Sequence, residues 1–352
     1  MKDADGSITI NGRRIGPGHP VYIVAEMSAN HARDFDQAVR IMEAAREAGA
    51  DAVKLQTYTP DTLTIDCDNE YFQIRGTLWD KQTLYALYGQ AYTPWEWHPR
   101  LKEVAGHLGL HFFSTPFDET AVDFLEDLGV PAYKVASFEL VDLPLLQRIA
   151  RTQKPVILST GMATLGEIEE AVDTIRQAGG EEIILLKCTS AYPAPPEAMH
   201  LRTIPHLQQA FQVPVGLSDH TTGIAVPVAA VTLGACLIEK HLTLSRQRPG
   251  PDSAFSLEPH EFKAMVEAVR VAEKALGTVC YGGSPSESST RLFRRSLFVV
   301  QDVREGEEFT RENVRSIRPG HGLPPRYLPV VLGRHAAQDI PRGTPLRWEL
   351  IR

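Results

Sequence analysis

Eight short apolar runs rich in β-branched residues recur along the chain, most of them ending on polar residues: VYIVAEM, AVKLQTY, HFFSTPF, AYKVAS, PVILSTG, EIILLKCTS, VPVGLSDH and CLIEKHL. Between them lie stretches of helical period, such as FDQAVRIMEAAREAGA and LGEIEEAVDTIRQAGG, which close on glycine as helix C-termini do. Strands that alternate with helices run parallel, because each crossover helix returns the chain to the same end of the sheet. Eight such units predict an α/β fold, a (β/α)8 TIM barrel, whose strand C-termini open onto one face. Glu26, Lys54, Gln56, Ser114, Thr115, Lys134, Ser137, Ser159, Ser190, Ser218, Asp219, His220 and His241 stand at or near the ends of these runs. They are expected to converge on the barrel mouth.

The 352 residues exceed by about 100 the roughly 250 that one such barrel needs, so a second small domain is expected. Residues 1–280 read as the barrel, led by a hairpin at Asn11-Gly12, a dipeptide suited to a tight two-residue turn. Residues 281–290 read as a linker on the composition of GGSPSESS. Residues 291–352 read as a small, mostly β domain, with RSLFVV and VLGRHAAQDI as short strands and two similar pieces, DVREGEEFT and DIPRGTPL. An aromatic-rich insertion at residues 60–98 follows the second barrel strand. Its place in the chain puts it over the mouth, where it is expected to shape specificity.

A formal charge of -8 with no Lys/Arg cluster beyond short pairs argues against nucleic acid as a partner. Cys67, Cys188, Cys236 and Cys280 are scattered without a CxxC pair, which fits reduced cytosolic thiols. The polar N-terminus lacks an apolar stretch, and no run approaches the roughly 18 apolar residues of a membrane span. A soluble cytoplasmic protein without a membrane partner is expected.

Two histidines carry the sharpest chemical signal. His220 ends LSDH and His241 ends IEKH on neighbouring strands, and strands about 4.8 Å apart let both imidazoles reach one divalent ion. Two protein ligands leave positions open to water or a substrate oxygen, the arrangement of a Lewis-acid site. Glu26, ending the first strand, is placed to hold a water or transfer a proton. Lys54 and Lys134 end strands inside apolar sequence, where an unpaired ammonium is costly to bury. Either a carboxylate such as Glu139 pairs with them, or they join Thr115, Ser137, Ser159 and Ser218 in a phosphate or carboxylate site. A metal beside an anion pocket suits a phosphorylated or carboxylated substrate meeting a polarised carbonyl.

The series AEMSANH, KLQTY, FFSTPFD, AYKVASFE, ILSTGMAT, LSDHTTG, IEKHLTL and RPGPDSAFSLEP resembles, in order and over nearly the whole chain, the sialic acid synthase family. The C-terminal segment around RSIRPGHGL resembles that family's antifreeze-protein-like (SAF) domain. The resemblance implies condensation of phosphoenolpyruvate with an N-acetylated amino sugar to a nine-carbon α-keto acid. It implies that His220 and His241 hold Mn²⁺, or Mg²⁺ or Co²⁺ in its place, and that Lys54, Thr115, Lys134, Ser137, Ser159 and Ser218 meet phosphoenolpyruvate. Ser190 stands where the family carries an asparagine. Glu26 corresponds to the family's acidic residue near the metal, and Gln56, Glu139, Tyr192 and Asp252 to its sugar side. Arg318 corresponds to an arginine that reaches the neighbouring subunit's barrel in a domain-swapped homodimer.

Within the family, AEMSANH, GTLWDKQTLYALYGQAYTPWEWH and GPDSAFSLEP look most like members taking 2,4-diacetamido-2,4,6-trideoxy-L-altrose. N-acetylneuraminate-forming members usually read AEIGINH, KHQT and KIGSGE at the corresponding places, and legionaminate-forming members stand nearer. Two readings outside the family stay open: a metal-dependent aldolase of the same fold using pyruvate, and a non-catalytic sugar-binding protein. Phosphate release separates the synthase from both.

Overall fold

The computed structural model describes residues 6–352. Asn11 and Gly12 both take positive φ, 47° and 80°, the conformation that a two-residue hairpin turn matched to strand twist requires. They fold strand β1 (Ile8–Ile10) back on β2 (Arg13–Ile15). Ile8, Ile10 and Ile15 are fully buried among Tyr22, Val24, Phe113, Ile184 and Leu237, the side chains that fill the barrel interior. The hairpin thus plugs one end of the barrel, and the chemistry is left to the other.

All eight expected barrel strands are present: β3 (Tyr22–Glu26), β4 (Ala52–Thr57), β5 (His111–Pro116), β6 (Tyr133–Val135), β7 (Val156–Ser159), β8 (Ile183–Cys188), β9 (Val215–Asp219) and β10 (Leu237–His241). Each pairs in parallel with the next, and β10 pairs with β3 to close the barrel. Around it stand helices α1 (Phe35–Glu47), α2 (Pro60–Leu63), α3 (Leu84–Ala91), α4 (His98–Leu108), α5 (Glu119–Leu128), α6 (Leu143–Ala150), α7 (Leu165–Gln177), α8 (Thr203–Phe211), α9 (Ala225–Thr232) and α10 (Pro259–Leu276). Their starts are set locally. The Asp34 carboxylate accepts from the Asp36 and Gln37 amides at the head of α1, and Thr164 and Glu167 form a reciprocal cap on α7. None of the helices among the described residues is long and apolar enough to cross a membrane.

The chain divides into two compact units, Met1–Gly277 and Thr278–Arg352. In the second, β11 (Ser296–Val299) lies within the expected RSLFVV strand and pairs antiparallel with β12 (Val314–Ile317). The strand expected at VLGRHAAQDI is absent. Leu328–Val331 is instead a short helix, α11, and His335, Ala336 and Ile340 make single bridges to Glu308, Ile351 and Val303. The backbone hydrogen bonds of this stretch are divided among residues 306–309, residues 350–352 and Val303, so no single neighbour runs alongside far enough to build a ladder. The two similar pieces face each other. Val303 and Ile340 exchange both backbone hydrogen bonds, at 2.9 and 2.7 Å. Asp302 accepts from the Arg342 amide and Asp339 from the Glu305 amide, both at 2.7 Å.

Gly216 sets how closely β9 and β10 approach. A Cβ there would lie 2.5 Å from the Leu237 carbonyl oxygen and 2.9 Å from the Leu237 Cβ, both fixed in the barrel wall. Gly216→Ala is therefore expected to destabilise the barrel by about 1–3 kcal/mol through overpacking, measured as a lower urea midpoint with an unchanged slope.

Candidate active site

Side chains of a strand alternate sides, so at the end of β10 Glu239 and His241 face the barrel mouth while Lys240 faces out. In β9 Ser218 faces the mouth and Asp219 faces out, and His220 follows directly. The mouth is a cavity of about 450 Å³.

Two buried lysines form its floor. Lys54 Nζ lies 2.7 Å from Glu26 Oε2 and 3.5 Å from Glu239 Oε1, and donates to Thr115 Oγ1 at 3.2 Å. Lys134 Nζ donates to Ser159 Oγ at 2.7 Å and to the Val135 carbonyl at 3.0 Å, and lies 3.8 Å from Glu239 Oε1. Gln56 Nε2 donates to Glu26 Oε1, and Ser218 Oγ to Glu239 Oε1, each at 3.2 Å. Burial pushes Glu26 up to about 7 against the pull of Lys54. Burial likewise opposes ionisation of Glu239, but Lys134 and Lys54 outweigh it and hold that carboxyl below its usual range. Lys134 is lowered by burial, whereas Lys54, with burial also against it, is held up by Glu239 and Glu26.

Either an anion or a carboxylate such as Glu139 was expected to meet the lysines; the structure places Glu26 and Glu239 against them. Glu239 escaped the sequence reading although its signal was there. It stands two residues before His241, on the same side of the strand. Gly161 also went unnoticed: its amide donates to Ser137 Oγ at 3.0 Å, and a Cβ there would collide with both Ser137 and Ser190. Ser190 Oγ, Glu139 Oε2 and Glu239 Oε2 are buried with no hydrogen-bond partner in the protein, a condition rare enough to mark where a ligand belongs.

The imidazoles of His220 and His241 lie with ring centroids 5.3 Å apart. His220 Nδ1 is 3.1 Å from the Thr189 carbonyl. A carbonyl only accepts, so this nitrogen carries a proton; burial opposes a second one, but Cys188 and the Thr189 carbonyl outweigh it and raise the pKa of His220, whose Nε2 keeps its lone pair in the neutral form alone. Burial holds His241 well below its ordinary value, in the neutral form, and its Nδ1 has no partner. His241, neutral with an unpartnered ring nitrogen, fits a divalent cation, and His220 joins it once its Nε2 is deprotonated. Among the described residues no cluster of three His, Cys, Asp or Glu side chains assembles around one point. Tyr192 packs 4.5 Å from the His220 ring and Phe255 4.9 Å from that of His241.

Asp252 is buried, and Oδ2 accepts from the Ala29 amide at 3.2 Å; burial raises its pKa. Glu139 is raised by burial to about 7. The insertion at residues 60–98 does cover the mouth. Trp79 Nε1 donates to the Pro251 carbonyl at 2.9 Å, its ring lies 5.7 Å from Tyr192, and α3 lines the cavity. Two residues expected at the mouth are elsewhere. Ser114 shares a 2.6 Å hydrogen bond with Thr57, and Asp219 a 2.5 Å ion pair with Lys240. Both occupy outward positions of the strand alternation, which run-end position alone did not distinguish. Arg318 belongs to the second unit, exposed just after β12.

The sequence profile of the NeuB family matches residues 41–281, and that of the SAF domain residues 294–352. Pseudaminic acid synthase of Helicobacter pylori is 47% identical over 93% of this chain and 96% of its own length. N,N'-diacetyllegionaminic acid synthase of Legionella pneumophila is 38% identical over 97% of this chain and 98% of its own length. Among solved structures, the N-acetylneuraminic acid synthetase of Leptospira borgpetersenii in complex with citrate superposes with a TM-score of 0.72 at 33% identity, covering 81% of this chain and 94% of that one.

Lys240 and Asp219 are fully buried outside the lumen, and Lys240 also donates to the Thr221 carbonyl. Lys240→Met leaves Asp219 buried without its cation and is expected to cost about 3–5 kcal/mol, whereas Lys240→Met combined with Asp219→Leu should recover most of it. Urea unfolding of the single and double variants checks both.

Proposed function

The chain belongs to the NeuB family, and on that footing we propose that it condenses phosphoenolpyruvate with 2,4-diacetamido-2,4,6-trideoxy-L-altrose and water to give pseudaminic acid and phosphate. The observation that carries this reading is the floor of the cavity. Two buried lysines and the hydroxyls of Thr115, Ser137, Ser159 and Ser218 gather beside two neutral-capable histidines.

Lys54, Lys134 and the hydroxyls bind the phosphate and carboxylate of phosphoenolpyruvate, supplying charge-assisted hydrogen bonds in a dry site. His220 and His241 would hold the divalent cation, Mn²⁺ or alternatively Mg²⁺ or Co²⁺, which when bound supplies Lewis acidity toward a carbonyl oxygen. The C2=C3 π pair of phosphoenolpyruvate forms the new bond from C3 to the sugar aldehyde carbon, the C=O π bond breaks and its oxygen takes a proton to become a hydroxyl, and C2 is left electron-deficient. Water adds at C2, and Glu26, poised near neutrality, takes the proton released there. The new C2 hydroxyl then gives up its proton to the departing phosphate as it becomes the keto group, the bond from C2 to the phosphate oxygen breaks, and phosphate leaves, its charge met by Lys54 and Lys134. Gln56, Glu139, Tyr192 and Asp252 orient the sugar. Two chains exchange C-terminal domains, so that Arg318 of one meets the sugar in the barrel of the other. Its exposure within its own unit leaves the side chain available for this. A legionaminate-type stereoisomer is the second reading, favoured by the Legionella relative.

Phosphate release from phosphoenolpyruvate with Mn²⁺ tests the reading, with the L-altro sugar, its legionaminate-pathway stereoisomer and N-acetylmannosamine offered in parallel. Release confined to the L-altro sugar is expected. Preference for another sugar would keep the chemistry and change the substrate, and silence with all three would overturn the synthase. Lys134→Ala is expected to lose at least about 100-fold in kcat/KM, the scale of one lost transition-state donor, with its circular dichroism unchanged. Removal of residues 290–352 should leave a folded but inactive barrel, and full activity in that truncation would remove Arg318 from the site.

A further inference from the structure

Helix α3 presents Leu84, Leu87, Tyr88 and Ala91 to the cavity. The spacing i, i+3, i+4, i+7 is one face of a helix, which in a globular protein ordinarily turns toward the core. Here that face forms a wall of the substrate cavity, continued by Leu63 and Ile74. The other side chains that the insertion contributes supply little polarity. The Trp79 N–H is engaged by the Pro251 carbonyl, and Thr77 is the one aliphatic hydroxyl. Tyr88, edge-on to Tyr58 at 5.7 Å, is the stripe's polar-tipped member. Charged groups line the cavity from the barrel side instead, as Lys54, Lys134, Glu239 and Asp252 show. The cavity therefore has a polar floor and an apolar roof.

Resting on the function proposed above, we propose that the α3 stripe determines specificity: it receives the end of the sugar remote from the aldehyde and selects a methyl over a hydroxymethyl group at C6. A hydroxyl pressed against Leu84 and Leu87 gives up its water hydrogen bonds without replacement. A methyl gains by leaving water. An apolar pocket of this kind discriminates against an added hydroxyl by about 10–100-fold. The same stripe suits the methyl ends of acetamido groups.

The test compares kcat/KM for phosphate release with 2,4-diacetamido-2,4,6-trideoxy-L-altrose and with its 6-hydroxy counterpart, in the full-length enzyme with Mn²⁺. Wild type is expected to favour the deoxy sugar by about 10–100-fold. Leu84→Gln and Leu87→Gln, which keep helix propensity and near-native volume, should each shrink that ratio several-fold. The change should lie in the KM for the sugar, with the KM for phosphoenolpyruvate unmoved. Leu84 is half-buried, so Leu84→Gln carries the test even if the buried Leu87 variant fails to fold. Equal use of the two sugars by wild type, or an unaltered ratio in a folded variant, overturns the inference and leaves the synthase standing. Silence of wild type with both sugars overturns the synthase reading and the inference with it.

Discussion

Hydrogen bonding of β10 to β3 is the constraint on which the rest of the molecule depends. It closes eight parallel strands on themselves and pairs His241 with Glu26 in register. Closure abolishes sheet edges and, because strand alternation has a period of two, sorts every strand-end residue to the lumen or the helix layer. Lys54, Lys134, Glu26 and His220 come from four segments widely separated in sequence, and Glu239 and His241 from a fifth, β10. They meet because their strands have no other way to end.

A group of charges gathered in that way is costly to bury, and the balance among them explains its chemistry. Glu239 stands between the two lysines, at 3.5 and 3.8 Å, and Glu26 closes on Lys54 at 2.7 Å. Two ammonium groups and two carboxyls, with one carboxyl near neutrality, leave a site able to accept an anion without being strongly cationic beforehand. The unpartnered oxygens of Glu239, Glu139 and Ser190 mean that hydrogen bonding is incomplete in the protein alone. A substrate with its own hydroxyls, amides and phosphate completes what the strands leave open. Outside the lumen, Lys240 and Asp219 repeat the pairing in a closed form with all roles filled locally. The contrast between satisfied pairs on the outside and incomplete ones on the inside separates architecture from site.

The insertion adds a layer that the barrel cannot supply. Its aromatic residues anchor it, with Trp79 on Pro251 and Tyr192, and Tyr88 on Tyr58. Its aliphatic residues then roof the cavity. Binding and reaction are thus divided between rigid strand ends and a helix carried on a connecting segment. In barrel enzymes this division lets substrate preference vary while the chemistry is retained.

Much of this was legible in the sequence because the governing rules are local. Apolar runs of strand length, alternating helices, the Asn11-Gly12 turn and the polar residues ending each run depend on neighbours a few positions away. They determined the barrel, its mouth and most of the polar side chains gathered there. Glu239 and Gly161 follow equally local rules, strand alternation and close backbone approach, yet each gains meaning only beside partners on other strands. The outward turn of Ser114 and Asp219, the pairing of Lys240 and the isolated bridges of residues 335–340 were decided by which distant backbone lay alongside. The apolar roof likewise depended on where α3 came to rest. A sequence specifies what each segment prefers, whereas register, burial and charge partnership between segments exist only once the chain has closed.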